Sequence, residues 1–177
     1  ELTKERFVRK TNNAGNEIYI VNYENSPMTM REIGRLRELS FRTSGGGTGK
    51  EVDIDEYDTD PKHAYQQLIV WSPEDKEIIG GYRYIDCSKI CAESNCDEKY
   101  LATEHLFKFS PSFKHHYMPY TIELGRSFVQ PYYQTVANSR KGMFSLDNLW
   151  DGLGALIVIN PNIKYFFGKV TMYSHFN

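Results

Sequence analysis

The chain has no surplus of basic residues. Its 21 Lys and Arg stand against 23 Asp and Glu, a formal net charge of −2, whereas a nucleic-acid-binding surface needs a cationic excess. No apolar run is long enough to span a bilayer. The longest, Ala155–Ile159, lies in a segment broken by Gly152 and Gly154. A signal-peptide pattern is missing, and Glu1 in place of Met reads as a cut or trimmed chain. Cysteine is scarce: Cys87, Cys91 and Cys96 are an odd set at irregular spacing. That is no disulfide framework, and with no fourth ligand or paired His it is no zinc cluster. The expectation is three reduced thiols in a cytosolic loop and no metal. There is no G-x-S-x-G of a triad hydrolase, and His63, His105, His115, His116 and His175 are scattered. The glycine run Ser44–Lys50 falls one residue short of a Walker loop. Glu51 also stands where a magnesium-binding hydroxyl is needed, so the run reads as a mobile loop.

What is present is ordinary in amount and unusual in kind. A chain of 177 residues holds one domain with a sizeable core. Hydrophobic residues at 40% and charged residues at 25% fit a globular domain. Aromatics reach 14%, with 13 Tyr and 10 Phe. They suit either an aromatic-rich core or a wide apolar cleft.

Periodicity orders the elements. Glu17–Asn22 alternates and reads as a first or edge strand. Thr29-x-x-Glu32 is a capping box opening a helix to about Phe41, with Ile33, Leu36 and Leu39 on one face. Gln66–Trp71 and Glu77–Ile85, joined by the turn Ser72–Lys76, form a hairpin. Asp86–Tyr100 reads as a polar loop, Leu101–Lys108 as a short helix or turn, and Tyr120–Gln130 as a strand ended by Pro131. Tyr132–Gly142 is a polar loop. Ser145 caps a second helix with Leu146, Leu149, Trp150, Leu153, Leu156 and Ile157 on one face, stopped by Asn160-Pro161. Tyr165–Met172 is the last strand. The order predicts an α/β (α+β) domain, a mixed sheet with packed helices. Ending on a strand leaves an open edge, so the native protein is expected to continue.

Two segments carry possible chemistry. Glu123-Leu124-Gly125-Arg126 places two charges inside an apolar strand, which is costly without partners. A spacing of three puts them on opposite faces of a regular strand. Gly125 permits a bulge that re-aims one of them. The carboxylate would then suit proton abstraction from an amine, and the guanidinium a grip on carboxylate or phosphate. Read alone, the pair fits equally well as an ion pair on an exposed face. The acidic run Val52–Asp58 is ordinarily a solvated charge run. The other reading is a rim that pairs with basic groups and attracts a cationic amine. It lacks EF-hand spacing and its glycine.

The series Arg37-x-x-x-Phe41, Asp55-Glu56-Tyr57-Asp58, Gly81-Tyr82-Arg83-Tyr84 and Glu123-Leu124-Gly125-Arg126 resembles the acyl-homoserine-lactone synthases. It resembles more closely the ornithine-lipid and glycine-lipid (hemolysin-like) N-acyltransferases of the GNAT superfamily. The matching parts are Glu123–Val129, Pro131, Leu149-Trp150-Asp151-Gly152-Leu153 and Phe167-Gly168. Gly125 replaces the Ser of the lactone synthases, and the Trp expected after Phe41 is missing, which argues against S-adenosylmethionine as acceptor. The Arg- and Gly-rich pyrophosphate loop of acetyl-CoA enzymes is replaced by Gln134–Gly142, with only Arg140, Lys141 and Gly142.

The resemblance implies a single GNAT-like domain over residues 1–177, C-terminally truncated. Its mostly antiparallel mixed sheet would have splayed central strands flanked by helices. It implies transfer of a fatty acyl group from an acyl carrier protein thioester, or acyl-CoA, to the amine of a glycine- or ornithine-type acceptor, with no tightly bound cofactor. Glu123 would act as base and Arg126 as its catalytic companion. Arg37, Phe41, Asp55, Asp58 and Arg83 would bind substrate. Phe128, Val129, Gln134, Arg140 and Lys141 would serve the donor, with a backbone N–H near Phe128 or Val129 polarising the carbonyl. Phe107, Phe109 and Phe113 suit an acyl tunnel as well as a core. The expected partners are the carrier protein and the membrane's inner face, reached from the cytoplasm. The rival readings are an acetyl-CoA-dependent small-molecule N-acetyltransferase and a non-catalytic lipid-binding domain. In the last case Glu123 is buried in a salt bridge, whereas a catalytic domain keeps it facing an open cleft.

Overall fold

The computed structural model describes residues 1–92, 95–135 and 142–170. Leu68, Ile69 and Val70 are buried in succession on strand β3 (Gln66–Ser72). Successive strand side chains point to opposite faces, so both faces of this strand must be covered. Helix α1 (Pro27–Thr43) covers one, packing Met30, Ile33 and Leu36 on Tyr19, Val21, Ile69, Ile78 and Phe128. Helix α4 (Ser145–Ile159) covers the other. Its Leu156 meets Ile18, Leu68, Tyr84 and Ile122, and its Leu149 meets Val70, Ile79 and Tyr133.

The sheet has six strands in the order β1-β2-β3-β4-β7-β8. They are β1 (Phe7–Lys10), β2 (Glu17–Val21), β3, β4 (Glu77–Asp86), β7 (Thr121–Val129) and β8 (Tyr165–Gly168). All pairs are antiparallel except β7–β8, which is parallel. The β7–β8 pairing runs from Thr121–Tyr165 to Leu124–Gly168 and stops there. Beyond it β7 pairs only with β4 among the described residues. β7 lies one strand in from the sheet's edge, and the splaying expected at its C-terminal end falls opposite positions from 171 on, which lie outside the described residues.

The structure corrects several local expectations. Strand β1 precedes β2, so Glu17–Val21 is interior to the sheet. Helix α1 starts at Pro27, which fits a helix's first turn. Thr29 is therefore already helical and forms no capping box. The Glu1 carboxylate accepts hydrogen bonds from the Met28 and Thr29 backbone N–H groups and from the Thr29 hydroxyl. Leu39 is exposed. Ser145 is not the cap of α4, whose N-cap is Phe144 with no side-chain bond. Leu146, Trp150 and Ile157 face outward, while Leu149, Ala155 and Leu156 are buried. Apolar residues surround this helix on all sides, so periodicity alone does not choose the packed face. Gly152 lets α4 approach the sheet closely, since a Cβ there would stand 2.5 Å from Leu68 Cδ2.

The cysteine segment is not a reduced loop. Cys91 and Cys96 form a disulfide across the short pair β5 (Cys91–Ala92) and β6 (Asn95–Cys96), and only Cys87 is free, and buried. A short helix α3 (Pro111–His116), capped by Ser110, lies where no element was expected.

The glycine run is tied down rather than loose. The buried Glu38 carboxylate accepts from Thr48 N, Thr48 Oγ1 and Gly49 N, and pairs with Arg42 at 2.8 Å. The Thr48 hydroxyl leads these partners, which outweigh burial and hold the Glu38 carboxyl down at about 2 from 4.5. A depressed carboxyl stabilises the fold above its unfolded value and loses that contribution as pH falls through its folded value. Wild-type stability should therefore decline between pH 4.5 and about 2. Glu38→Gln should flatten that part of a thermal-melting profile against pH. An identical slope in the variant would show that Glu38 does not carry it.

Candidate active site

Between α1 and β3 the chain passes through the acidic segment, and every aspartate in it meets an arginine. Asp55 caps helix α2 (Glu56–Thr59), accepting from Tyr57 N and Asp58 N, while Asp55 N donates to Asp58 Oδ2. This reciprocal box fixes both carboxylates in one turn. Arg37 of α1 is fully buried. It donates to Asp58 Oδ2 at 3.0 Å, to the Asp53 carbonyl at 3.3 Å and to the Gln67 amide oxygen, and Gln67 donates back to Asp58 Oδ1 at 2.9 Å. Arg83 of β4 grips both Asp55 oxygens at 2.6 and 2.7 Å and reaches Asp58 at 3.4 Å. Arg126 of β7 stands 3.1 Å from Asp53 and 3.5 Å from Asp55.

Burial and pairing compete in this network. Burial works against the charge of Arg37, lowering its affinity for the proton, and Asp58 opposes that. Burial likewise disfavours the Arg83 cation, but Asp58 and Asp55 outweigh it and raise its proton affinity. Asp55 meets the same burial penalty, yet Arg83 and then Arg126 hold its carboxyl below the ordinary range. Asp53 ends above its ordinary value, because burial exceeds the pull of Arg126, Arg37 and Arg83.

A bulge brings Arg126 to this side. Gly81 pairs with Phe128 and Arg83 with Gly125, so Tyr82 alone stands opposite Arg126 and Ser127. The extra residue restores a common face for positions that a regular strand would separate. The left-handed conformation falls on Arg126 itself, at φ 49°, not on Gly125. A non-glycine residue held there stores strain of about 1–3 kcal/mol. The Arg126 side chain is 31% exposed, against 5% for Arg83 and 0% for Arg37. It is thus the one arginine of the three that reaches solvent.

Glu123 lies on the same face but outside the ion network. It is 1% exposed, so it faces no open cleft, and it makes no salt bridge among the described residues. Tyr65, which sequence reasoning missed, donates its hydroxyl to Glu123 Oε2. Glu123 Oε1 is buried with no hydrogen-bond partner among the described residues. The next strand supplies an apolar neighbour, Phe167, paired in register with Glu123. Phe107, Phe109 and Phe113 gather around Phe167 with ring centroids 5.5, 5.9 and 5.8 Å away. Phe109 and Phe113 pack against the Tyr65–Ile85–Leu101–Met118 core, while Phe107, 44% exposed, carries the cluster's edge to the surface.

The remaining residues singled out by sequence are dispersed. The Phe41 ring lies 5.9 Å from the Arg126 guanidinium carbon. Phe128 is buried. The Val129 carbonyl accepts from the exposed Gln134 amide. Arg140 and Lys141 lie outside the described residues. A cavity of about 710 Å³ near Tyr19, Trp71 and Ile78 is lined by none of the expected site residues. No group of His, Cys, Asp and Glu among the described residues is arranged to hold a metal ion, and no helix among them is long and apolar enough to cross a membrane.

A mixed, mostly antiparallel sheet between two helices, with a bulged strand one in from its edge and a charged cluster beside it, fits a GNAT-type acyltransferase scaffold. The GNAT acetyltransferase domain model matches residues 36–141, and the chain belongs to this family. The chain is similar to two curated relatives, each named glycine N(alpha)-acyltransferase. The protein of Bacteroides thetaiotaomicron is 57% identical over 180 residues, covering 100% of this chain and 52% of the relative. That of Phocaeicola vulgatus is 54% identical over 177 residues, covering 100% and 54%. The chain spans about half the length of the curated relatives it matches. No solved structure matches it.

The buried pair Arg37–Asp58 should be indispensable to the fold. Asp58→Asn keeps the side-chain size but leaves buried guanidinium groups short of charge, a loss of about 3–5 kcal/mol for a broken buried pair. Urea unfolding should show it directly. A shift below about 1 kcal/mol would mean that the pair is not what holds the segment.

Proposed function

We propose that this chain carries the catalytic centre of an N-acyltransferase that acylates glycine with a fatty acyl thioester, in lipoamino-acid synthesis. The observation that carries this reading is the face of β7. It sets a buried carboxylate, a half-exposed arginine and an aromatic cluster whose edge reaches the surface side by side. The two relatives named for glycine acylation agree with it. Ornithine-type acceptors have no comparable support.

In this reading the amino-acid carboxylate binds Arg126, whose Asp partners hold the guanidinium in place. Burial gives Arg37, Asp58 and Arg83 the part of support under the cleft wall rather than substrate contact. The amine attacks the thioester carbonyl directly, and a backbone N–H near Phe128 or Val129 steadies the developing oxyanion. Glu123, being buried, takes the amine's proton through a water. The C–N bond forms, the C–S bond breaks, and the thiolate leaves with a proton. The acyl chain lies along Phe107, Phe109, Phe113 and Phe167. The donor is acyl-phosphopantetheine on an acyl carrier protein, which would dock from the cytoplasm at the membrane's inner face. Acyl-CoA presents the same arm.

The test is Glu123→Gln in the full-length protein, assayed with acyl carrier protein thioester and glycine. The amide keeps the shape but cannot take up a proton. A loss of about a hundredfold to ten-thousandfold is expected, with the melting temperature little changed. Wild-type rates across pH would assign base catalysis elsewhere, and no turnover by the wild type with any acyl donor would favour a lipid-binding module.

A further inference from the structure

We propose that Tyr65 is a positioning residue for Glu123, one that leaves Oε1 as its proton-accepting atom. The proposal rests on the reading that Glu123 takes the amine's proton.

The direction of the hydrogen bond follows from what surrounds the phenol. Ala102 N–H donates to the Tyr65 hydroxyl oxygen at 2.8 Å. With that approach taken, the Tyr65 hydrogen turns toward Glu123, whose carboxylate only accepts. Burial, followed by the adjacent Glu123 charge, pushes the phenol far above its ordinary value, so it remains a neutral donor. Oε2 thereby has one of its acceptor sites taken. Oε1, buried and without a partner among the described residues, keeps both of its own free.

The phenol is itself held on three sides. Tyr65 is 1% exposed and packs with Ile85, Cys87, Leu101 and Met118. Its backbone N–H donates to the Tyr57 carbonyl at 2.8 Å, which ties it to α2. The Arg83 guanidinium lies 5.1 Å from its ring centroid, a cation–π contact. Since Arg83 also grips Asp55, Tyr65 links the acidic turn to Glu123. The titratable and charged groups packed around this point are Tyr57 from α2, Arg83 from β4 and Cys87 from the turn after β4, with Asp55 and Arg126 beyond. Burial and then Glu123 push the Cys87 thiol up to about 12, so it stays neutral. The adjoining β8 position, Phe167, brings no charge.

During turnover the amine's proton passes by way of water to Oε1 as the C–N bond forms. Glu123 is then a neutral acid that returns the proton to the departing thiolate. Tyr65 keeps its own proton throughout. Its part is to favour the ionised carboxylate before the proton arrives and to keep Oε1 turned toward the water.

The experiment is a pH profile of kcat/KM for glycine acylation in the full-length protein, comparing wild type, Tyr65→Phe and Glu123→Gln, with melting curves for each. Tyr65→Phe should move the acid-side fall in rate to higher pH by about one unit, since a hydrogen bond to an ionised group is lost. 3-Fluorotyrosine in place of Tyr65, a stronger donor of nearly the same shape, should move it to lower pH. It decides the matter if Tyr65→Phe does not fold. An unmoved acid limb in the folded variants, with Glu123→Gln inactive, overturns the role of Tyr65 alone. An active Glu123→Gln overturns both the role of Tyr65 and the reading of Glu123 beneath it.

Discussion

A fully buried guanidinium, Arg37, meeting a fully buried carboxylate, Asp58, is the constraint on which the rest of this structure depends. Two ions out of water cost several kcal/mol each, and they stay only if every neighbour is placed to satisfy them. That requirement locks α1, the acidic turn and β3 together, since Gln67 bridges the pair on the far side. It also fixes Asp55, because the same turn that aims Asp58 at Arg37 aims Asp55 at Arg83. The network thus ties a helix, the acidic turn and two strands to one another.

At its outer end the network reaches Arg126. The β7 bulge and the left-handed φ of Arg126 bring this side chain to the face that carries Glu123, where Asp53 and Asp55 hold it. The strain of that backbone is tolerated because the surrounding charges over-determine the position. Buried arginines support, and a half-exposed arginine meets solvent. Beside it, the Tyr65 hydroxyl donates to Glu123 Oε2. The site is a gradient from fully buried charge to accessible charge, laid along one sheet face.

Much of this was readable before any coordinates. The acidic run holding Asp55 and Asp58 read as a solvated charge run or as a rim that pairs with basic groups, while Arg83 and Arg126 sat as charges in apolar strands. Each needed the other. The three-residue spacing of Glu123 and Arg126 called for a bulge, although glycine's permissiveness at Gly125 pointed one residue too early. Tyr65 was invisible, because a tyrosine before an apolar strand is an ordinary core residue until its hydroxyl meets Glu123. The Cys91–Cys96 bond depends on two tiny strands whose pairing leaves no periodic trace. The packed side of α4 was misjudged because Leu146, Trp150 and Ile157 repeat at the same spacing as the residues that are buried.

The account's central claim is that this charged network exists to present Arg126 to an amino-acid carboxylate. The most direct measurement compares kcat/KM for glycine and for glycinamide, which lacks that carboxylate, in full-length wild type and Arg126→Ala. The account predicts that the wild type favours glycine by about tenfold or more, as expected for a charge-assisted contact, and that the ratio collapses toward one in the variant. Equal preference for glycine in both proteins would contradict it.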